Sequence, residues 1–302
     1  MNTPFERIVD ISKIGIPSKL NLDELFELAS QEKIYPVREA DKDLLLGIDW
    51  QFCFMEGGVL GVPGSRGDVE RTLRFIYPRM YNLTIMSSKD THPVNAIFHP
   101  TWWVNPKGDH PEPFTTIITY EDVLNGKWIA ANPENQEASL HYLKKLEMSK
   151  GKKKLCIWPV HAVPDTVGWM FESQYARMIN FHSIVTMSND AVIVKGTDPF
   201  TEMYGILAPE VNEDGTFNQK VIEAIINHRR VFVCGEAASH CVLESIIQIV
   251  EYFKDRPDII AKIIVLTDCM SPIVGYEEET VRAFNKLREM GVKFMTTAEL
   301  AA

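Results

Sequence analysis

No apolar run in this sequence approaches the roughly 20 consecutive residues that a helix needs to cross a bilayer, so a membrane-spanning chain is not expected. Positive charge is scarce: Lys and Arg number 31 against 41 Asp and Glu, a formal charge of -10. A surface of that sign repels phosphate backbones, and neither nucleic acid nor a membrane is expected as partner. The five cysteines, odd in number and widely spaced, make no disulfide framework. Residues Met1 to Glu6 lack the charged-then-apolar leader of a secreted chain, so the expected location is a reducing cytoplasm. What remains is 302 residues at 45% apolar content, enough for a sizeable core, with no break in composition that would divide it. One main domain with additions is expected.

From about residue 40 onward, short apolar runs alternate with helical periodicity. The spacing predicts strands at Leu44 to Ile48, Leu83 to Ser87, Leu155 to Trp158, Ala191 to Val194, Val231 to Cys234, Ile263 to Thr267 and Val292 to Thr296. It predicts helices at Val69 to Met80, Gln136 to Met148, Thr166 to Asn180, Asn218 to His228, Cys241 to Phe253 and Glu277 to Met290, with another near Asn21 to Ser30. Repetition of this kind implies an α/β fold, a three-layer α/β/α arrangement around a mostly parallel sheet. In such sheets ligands bind beyond the carboxyl ends of the strands.

Those ends carry Asp49, Asp90, Lys195, the turn before Cys241, and Asp268, and all five are expected on one rim. Taken singly, an Asp or Lys at a strand end is a turn former or a solvated charge. Together with a thiol they are the parts of a nucleophilic hydrolase: a base, a cation and a nucleophile. Cys241 has the nucleophile's setting, since the run from Val231 to Val242 reads as a buried strand, a small-residue turn and the first turn of a helix. Backbone N–H groups and the helix dipole there are expected to favour thiolate and to hold a developing oxyanion.

Three segments, Asp49-Trp50-Gln51-Phe52-Cys53-Phe54, Lys195-Gly196 and Gly235-Glu236-Ala237-Ala238-Ser239-His240-Cys241-Val242, resemble the signatures of the isochorismatase-like cysteine hydrolases, and within them nicotinamidase most of all. The resemblance spans about residues 42 to 300 in the same chain order. It implies an isochorismatase-like hydrolase domain at 41–302, an N-terminal extension at 1–40, and a long insertion at about 100–155. It also implies a triad of Asp49, Lys195 and Cys241, a cis peptide between Glu236 and Ala237, and oxyanion donors at the N–H groups of Ala237 and Cys241. A homo-oligomer is the implied assembly.

A fourth segment, Ser88-Lys89-Asp90-Thr91-His92-Pro93, followed by His99 and later Trp158-Pro159-Val160-His161, is similar to the nicotinamidase metal site. A carboxylate with two or three imidazoles suits zinc, with iron and manganese as the other candidates. Asp90, His92 and His161 map directly as ligands. His99 stands one residue further from His92 than in the common bacterial pattern. The ion, as the resemblance implies, fixes a pyridine nitrogen of nicotinamide. Phe54, Trp158 and Tyr204 take positions that present aromatic faces to the substrate ring, where stacking adds about 1 kcal/mol each. His110, His141, His182 and His228 have no such context, and His240 is read as support for the turn.

Departures bear on the substrate. The insertion holds Trp102-Trp103-Val104-Asn105, Pro111-Glu112-Pro113 and a charged helix ending at Lys150-Gly151-Lys152-Lys153-Lys154, and could form a lid or subunit contact. Lys152 to Lys154 reads as a solvated loop. Glu236 stands where a small aliphatic residue is usual, and Ala162 where cysteine is common; a carboxylate at that turn would alter which amide is accepted. The expected function is a metal-containing cysteine amidohydrolase converting a small amide, nicotinamide first, to its acid and ammonia through a thioester. Three alternatives stay open: a metal-free vinyl ether hydrolase, another small-amide or ureido hydrolase of the same superfamily, and a catalytically silent interaction scaffold.

Overall fold

The computed structural model describes residues 1–33, 41–149, 153–189 and 191–300. In chain order its strands are β1 (Asp43–Ile48), β2 (Leu83–Asp90), β3 (Trp103–Val104), β4 (Ile117–Ile118), β5 (Ile129–Ala130), β6 (Leu155–Cys156), β7 (Ala191–Lys195), β8 (Val231–Gly235), β9 (Ile263–Leu266) and β10 (Lys293–Met295). Its α-helices are α1 (Phe5–Ile8), α2 (Leu22–Ala29), α3 (Ser65–Ile76), α4 (Tyr120–Leu124), α5 (Gln136–Met148), α6 (Ser173–Thr186), α7 (Gln219–Asn227), α8 (Cys241–Tyr252), α9 (Pro257–Ile260) and α10 (Glu277–Glu289).

Six strands form one parallel sheet in the order β10-β9-β8-β1-β2-β7. Alternation along each strand feeds two cores. In β1, Leu45 joins Val69, Leu73, Tyr175 and Met178 of α3 and α6 on one face. Leu44, Leu46 and Ile48 join Val221, Ile225, Val242 and Ile246 of α7 and α8 on the other. With both faces covered, β1, β8 and β9 are buried along their whole length, whereas β2 turns polar at Ser87–Asp90 and the edge strand β7 leaves Val192 and Val194 exposed. The expected three-layer fold is thus the observed one. β1 lies at the centre; the chain fills one side with β2 and β7, then returns to fill the other with β8, β9 and β10. A crevice opens at the carboxyl ends around β1, where such folds bind ligands.

The described part of the N-terminal extension packs on this domain: α2 lies against α6, and Phe5, Ile8, Leu25 and Leu28 enter the first core. The 100–155 region is a packed layer of its own. Short antiparallel pairs, β3 with β5 and β4 with β6, frame a third core holding Phe98, Trp102, Trp103, Tyr142, Leu143 and Leu146. Trp158 and Phe54 belong to that core as well, so the 100–155 region packs behind two residues of the crevice wall.

Three expectations shift. The Leu155 strand is only two residues long and pairs antiparallel with β4, outside the main sheet, because the insertion supplies its partner. The helix expected from Thr166 starts at Ser173, where the Glu172 carboxylate caps the N–H groups of Gln174 (2.9 Å) and Tyr175 (2.8 Å). The helix expected at Val69 to Met80 begins at Ser65 and ends at Ile76; Pro78 follows, and the chain tightens into a 3-10 turn over Tyr77–Asn82. Among the described residues, no helix is long and apolar enough to cross a membrane.

Candidate active site

β1, β2, β7 and β8 end side by side, with Ile48 paired to Gly235 and Asp90 to Lys195. This register sets the site. Asp49 leaves β1 with φ at +47°, a left-handed conformation unusual for a residue with a side chain. The Ser88 hydroxyl donates to Asp49 Oδ1 at 2.6 Å and accepts the Asp49 N–H at 3.1 Å. The fully buried Lys195 reaches back over the strand ends: its Nζ lies 2.9 Å from Asp49 Oδ2 and 2.5 Å from Asp90 Oδ1, donates to the Met203 carbonyl at 3.1 Å, and stands 3.7 Å from Cys241 Sγ. Asp90 is fixed further by Gln51, whose amide pairs with both its N–H (2.6 Å) and its carbonyl (2.9 Å).

Electrostatics follow from burial. Desolvation pushes the Asp49 carboxyl up, against the pull of Lys195. Asp90 is pushed the same way by burial, yet Lys195 and His92 hold it well below the usual carboxylate range. Burial opposes the Lys195 ammonium, but Asp49 and Asp90 outweigh it and its pKa sits well above the ordinary value. Cys241 differs from expectation. It opens α8, yet burial pushes its thiol well up, and Asp49 and Asp90 add to this against Lys195. Cys241 is therefore held as a thiol.

The turn into α8 carries the cis Glu236–Ala237 peptide. Among the described residues no hydrogen bond engages the N–H of Ala237 or of Cys241, so both donors are available beside the thiol.

Asp90, His92 and His161 bring ligand atoms within 4.8 Å of one another. Each imidazole has its Nδ1 beside a backbone carbonyl: His92 at Gly196 (2.8 Å), His161 at Pro159 (2.8 Å), and His99 at Val94 (3.0 Å). Donation from Nδ1 would leave the Nε2 lone pair for a metal, although without an ion the burial of His92 is outweighed by Asp90, which raises its pKa. His92 Nε2 is buried with no hydrogen-bond partner and lies 3.4 Å from Asp90 Oδ2. Burial keeps His161 neutral, its pKa well below ordinary, and pulls His99 down to about 4. These residues fit a divalent ion. His99 packs beside the group, its Nε2 3.3 Å from His161 Nδ1, and stands outside the three-ligand cluster. Glycine is obligatory at 196: φ is +73°, and a Cβ there would lie 2.3 Å from His92 Cε1. A second grouping, Asp49, Asp90 and Cys241, is no metal site, because the Lys195 ammonium already sits among those three groups.

A narrow cavity of about 30 Å³ connects these parts, lined by Phe54, Leu60, Asp90, Trp158, His161, Glu202, Tyr204, Ala237, His240, Cys241 and Ile273. Trp158 Nε1 donates to the Tyr204 hydroxyl at 2.8 Å, joining two of the expected aromatic walls. Phe54 meets His161 edge-on at 6.0 Å. His240 lines the cavity, packed on Trp158 and Tyr276, with Nδ1 2.8 Å from Ser239 Oγ; burial pulls it down to about 4, so it is neutral.

Several expectations are corrected here. Asp268 does not join the site: it accepts the Thr297 N–H (2.9 Å) and hydroxyl (2.6 Å), tying β9 to the end of the chain. Glu236 is fully buried behind the turn and does not line the cavity, so its carboxyl faces no substrate. Lys153 is only partly solvated: it pairs with Glu210, and with Glu244 at 2.7 Å. Lys150 to Lys152 lie outside the described residues. Glu202 was not anticipated. It is buried at the cavity, its Oε2 has no hydrogen-bond partner, and burial raises it to about 7. Its place between Lys195 and Tyr204 was the available signal.

No family model matches the chain, and no curated protein matches it in sequence. Solved structures do. The yeast nicotinamidase Pnc1p bound to the inhibitor nicotinaldehyde aligns with 84% of this chain and 99% of its own, at 19% identity and a TM-score of 0.58. The nicotinamidase pyrazinamidase of Acinetobacter baumanii covers 86% of this chain and 98% of its own, at 17% and 0.56. PnC1 of L. infantum, in complex with nicotinate, covers 88% and 98%, at 18% and 0.51. With a parallel six-stranded sheet and structural likeness to nicotinamidases over nearly their whole length, the chain has the isochorismatase-like hydrolase fold.

Proposed function

We propose that the chain is a metal-containing cysteine amidohydrolase of small amides, with nicotinamide the first substrate. The observation that carries this reading is Lys195, buried at the mouth of the sheet with Asp49, Asp90 and Cys241 all within 3.7 Å of its Nζ. Burying an ammonium and two carboxylates costs several kcal/mol per ion before their mutual attraction is counted. Such a cluster against a thiol and a cavity is the arrangement acyl transfer uses.

In this mechanism Asp49, more basic than a surface carboxylate, takes the Cys241 proton while Lys195 stabilises the resulting charges. The thiolate adds to the carboxamide carbon, and the oxyanion is received by the Ala237 and Cys241 N–H groups. The proton returns from Asp49 to the nitrogen, the C–N bond breaks, and ammonia leaves a thioester. Water, deprotonated by Asp49, attacks the thioester; the acid departs and the thiol is restored. A divalent ion held by Asp90, His92 and His161, zinc before iron or manganese, would supply a Lewis-acidic anchor for a ring nitrogen. Phe54, Trp158 and Tyr204 line the cavity and would stack on a flat ring bound there.

One observation favours a second reading. The Glu202 carboxyl, with an oxygen left free at the cavity, suits a ureido or other amide that brings an additional N–H. Ammonia release from nicotinamide and from a panel of small amides and ureas, with Cys241→Ala beside the wild type, separates the two. Cysteine-dependent release from nicotinamide supports the first reading; release only from ureido compounds supports the second. Release that survives Cys241→Ala ends both.

A further inference from the structure

Behind the oxyanion turn lies a buried acid pair that the catalytic steps do not use. Glu236 is fully buried, and its side chain faces away from the cavity toward Asp68 of α3. Its Oε2 accepts the Ser271 N–H at 3.4 Å, while Oε1 receives no donor from any described residue. Asp68, also buried, accepts the Ser271 hydroxyl on Oδ2 and Arg71 on Oδ1, both at 2.6 Å, and keeps lone pairs for a further donor. A buried carboxyl oxygen without a donor is costly unless it carries a proton itself. A proton on Glu236 turns that oxygen into a donor toward Asp68. Burial and the neighbouring Asp68 both push Glu236 well above the ordinary carboxyl range, in keeping with that proton.

The pair bears on the turn through Ser271. The Ser271 carbonyl accepts the Ala238 N–H at 2.9 Å, its N–H donates to Glu236, and its hydroxyl donates to Asp68. Ala237, whose N–H is free at the cavity, therefore stands between two residues both tied to Ser271. We propose that Glu236 is a positioning residue: sharing a proton with Asp68 and clasping Ser271, it fixes the turn that presents the Ala237 N–H to the substrate oxygen. An apolar side chain at 236 would pack there but could neither pair with Asp68 nor accept from Ser271. The role presupposes that the Ala237 and Cys241 N–H groups receive an oxyanion.

The test compares two reactions of Cys241 in the metal-replete, full-length protein. Acylation by p-nitrophenyl acetate passes through an oxyanion, with a thioester formed and p-nitrophenolate released. Alkylation by iodoacetamide displaces iodide and forms no oxyanion. Glu236→Leu is expected to slow acylation by about tenfold or more, since misplacing a catalytic donor is costly, while alkylation stays within about twofold. Glu236→Gln, which keeps a donor toward Asp68, is expected to recover most of the rate. Should Glu236→Leu fail to fold, Asp68→Ala removes the same link and is expected to show the same selective loss. Unchanged acylation in the variants, or acylation and alkylation falling together, overturns the proposal. Wild-type protein that acylates but releases ammonia from no amide would instead overturn the amidohydrolase reading.

Discussion

Two lysines in this molecule each hold two carboxylates, and they do so under opposite conditions. Lys195 and its partner Asp49 are fully buried, Lys195 at the last position of β7 and Asp49 just past β1. Lys153 belongs to the insertion and leaves 32% of its side chain exposed while pairing with Glu210 and Glu244. Around Lys195 both carboxylates lie near the Cys241 thiol, and Asp90 also lines the cavity. The Lys153 cluster stands just behind the cavity wall: Glu210 Oε1 accepts the Tyr204 N–H at 3.3 Å, and Glu244 lies in the first turn of α8, past Cys241. The same constellation of charges is fully desolvated beside the thiol and partly hydrated behind the wall, so the two are expected to differ in what their loss costs.

The comparison breaks most sharply at Lys195. Replacement by Met leaves Asp49 and Asp90 facing each other without their cation. Turnover is expected to fall about 10³-fold, within the range for losing a group that acts with the base. Stability is expected to fall by about 3–5 kcal/mol, the cost of breaking a buried ion pair from one side. Adding Asp49→Asn should recover part of that stability in urea unfolding while turnover stays lost. A double variant no more stable than the single would show that the two charges are not coupled.

That Asp49, Asp90, Lys195 and Cys241 meet was legible in the sequence and the Lys153 cluster was not, for a physical reason. Asp49, Asp90 and Lys195 each stand at the carboxyl end of a strand that begins as an apolar run, and parallel strands deliver their last residues to a common edge. Asp268 obeys the same pattern, yet Thr297 claims it, a partner that no local spacing discloses. Glu202 and Glu210 sit on an irregular stretch after Lys195, where no periodicity tells which way a side chain points. Lys153 stands in a run of lysines whose composition says solvent; only the fold of the insertion brings Glu210 against it. The direction of Glu236 was hidden for the same reason, since its neighbours across the turn, Asp68 and Ser271, come from distant parts of the chain. Composition and period expose what sheets and helices arrange, and are silent where loops choose partners.

A smaller effect separates the clusters by pH. Burial and the nearby Glu244 raise Glu210 to about 7 in the folded state, against an ordinary value of 4.5. The folded protein then holds a proton that the unfolded chain has released. This contribution to stability is complete below about pH 4.5 and is lost as pH rises through about 7. Asp90 is shifted the other way, so its contribution is present above the ordinary carboxyl range and disappears only in acid. Glu210→Gln should therefore reduce the fall in stability between about pH 5 and pH 8, measured by urea unfolding, and leave the acid limb unchanged. An unaltered slope between those pH values would show that Glu210 titrates normally.

The smallest effect is expected at Lys153 itself. Because its ammonium is partly solvated, Lys153→Met should cost only about 1 kcal/mol, and turnover should stay within a few-fold, since none of the reacting groups touches it. The pH slope gives the sharper readout. Lys153 is the cation that pulls Glu210 downward, so without it the folded-state pKa rises further and the loss of stability extends to higher pH. Lys195→Met is expected to collapse both activity and stability, whereas Lys153→Met moves chiefly this limb. If Lys153→Met instead abolished turnover with the fold intact, the cluster behind Tyr204 would belong to the reaction, and the division between the two lysines would fail.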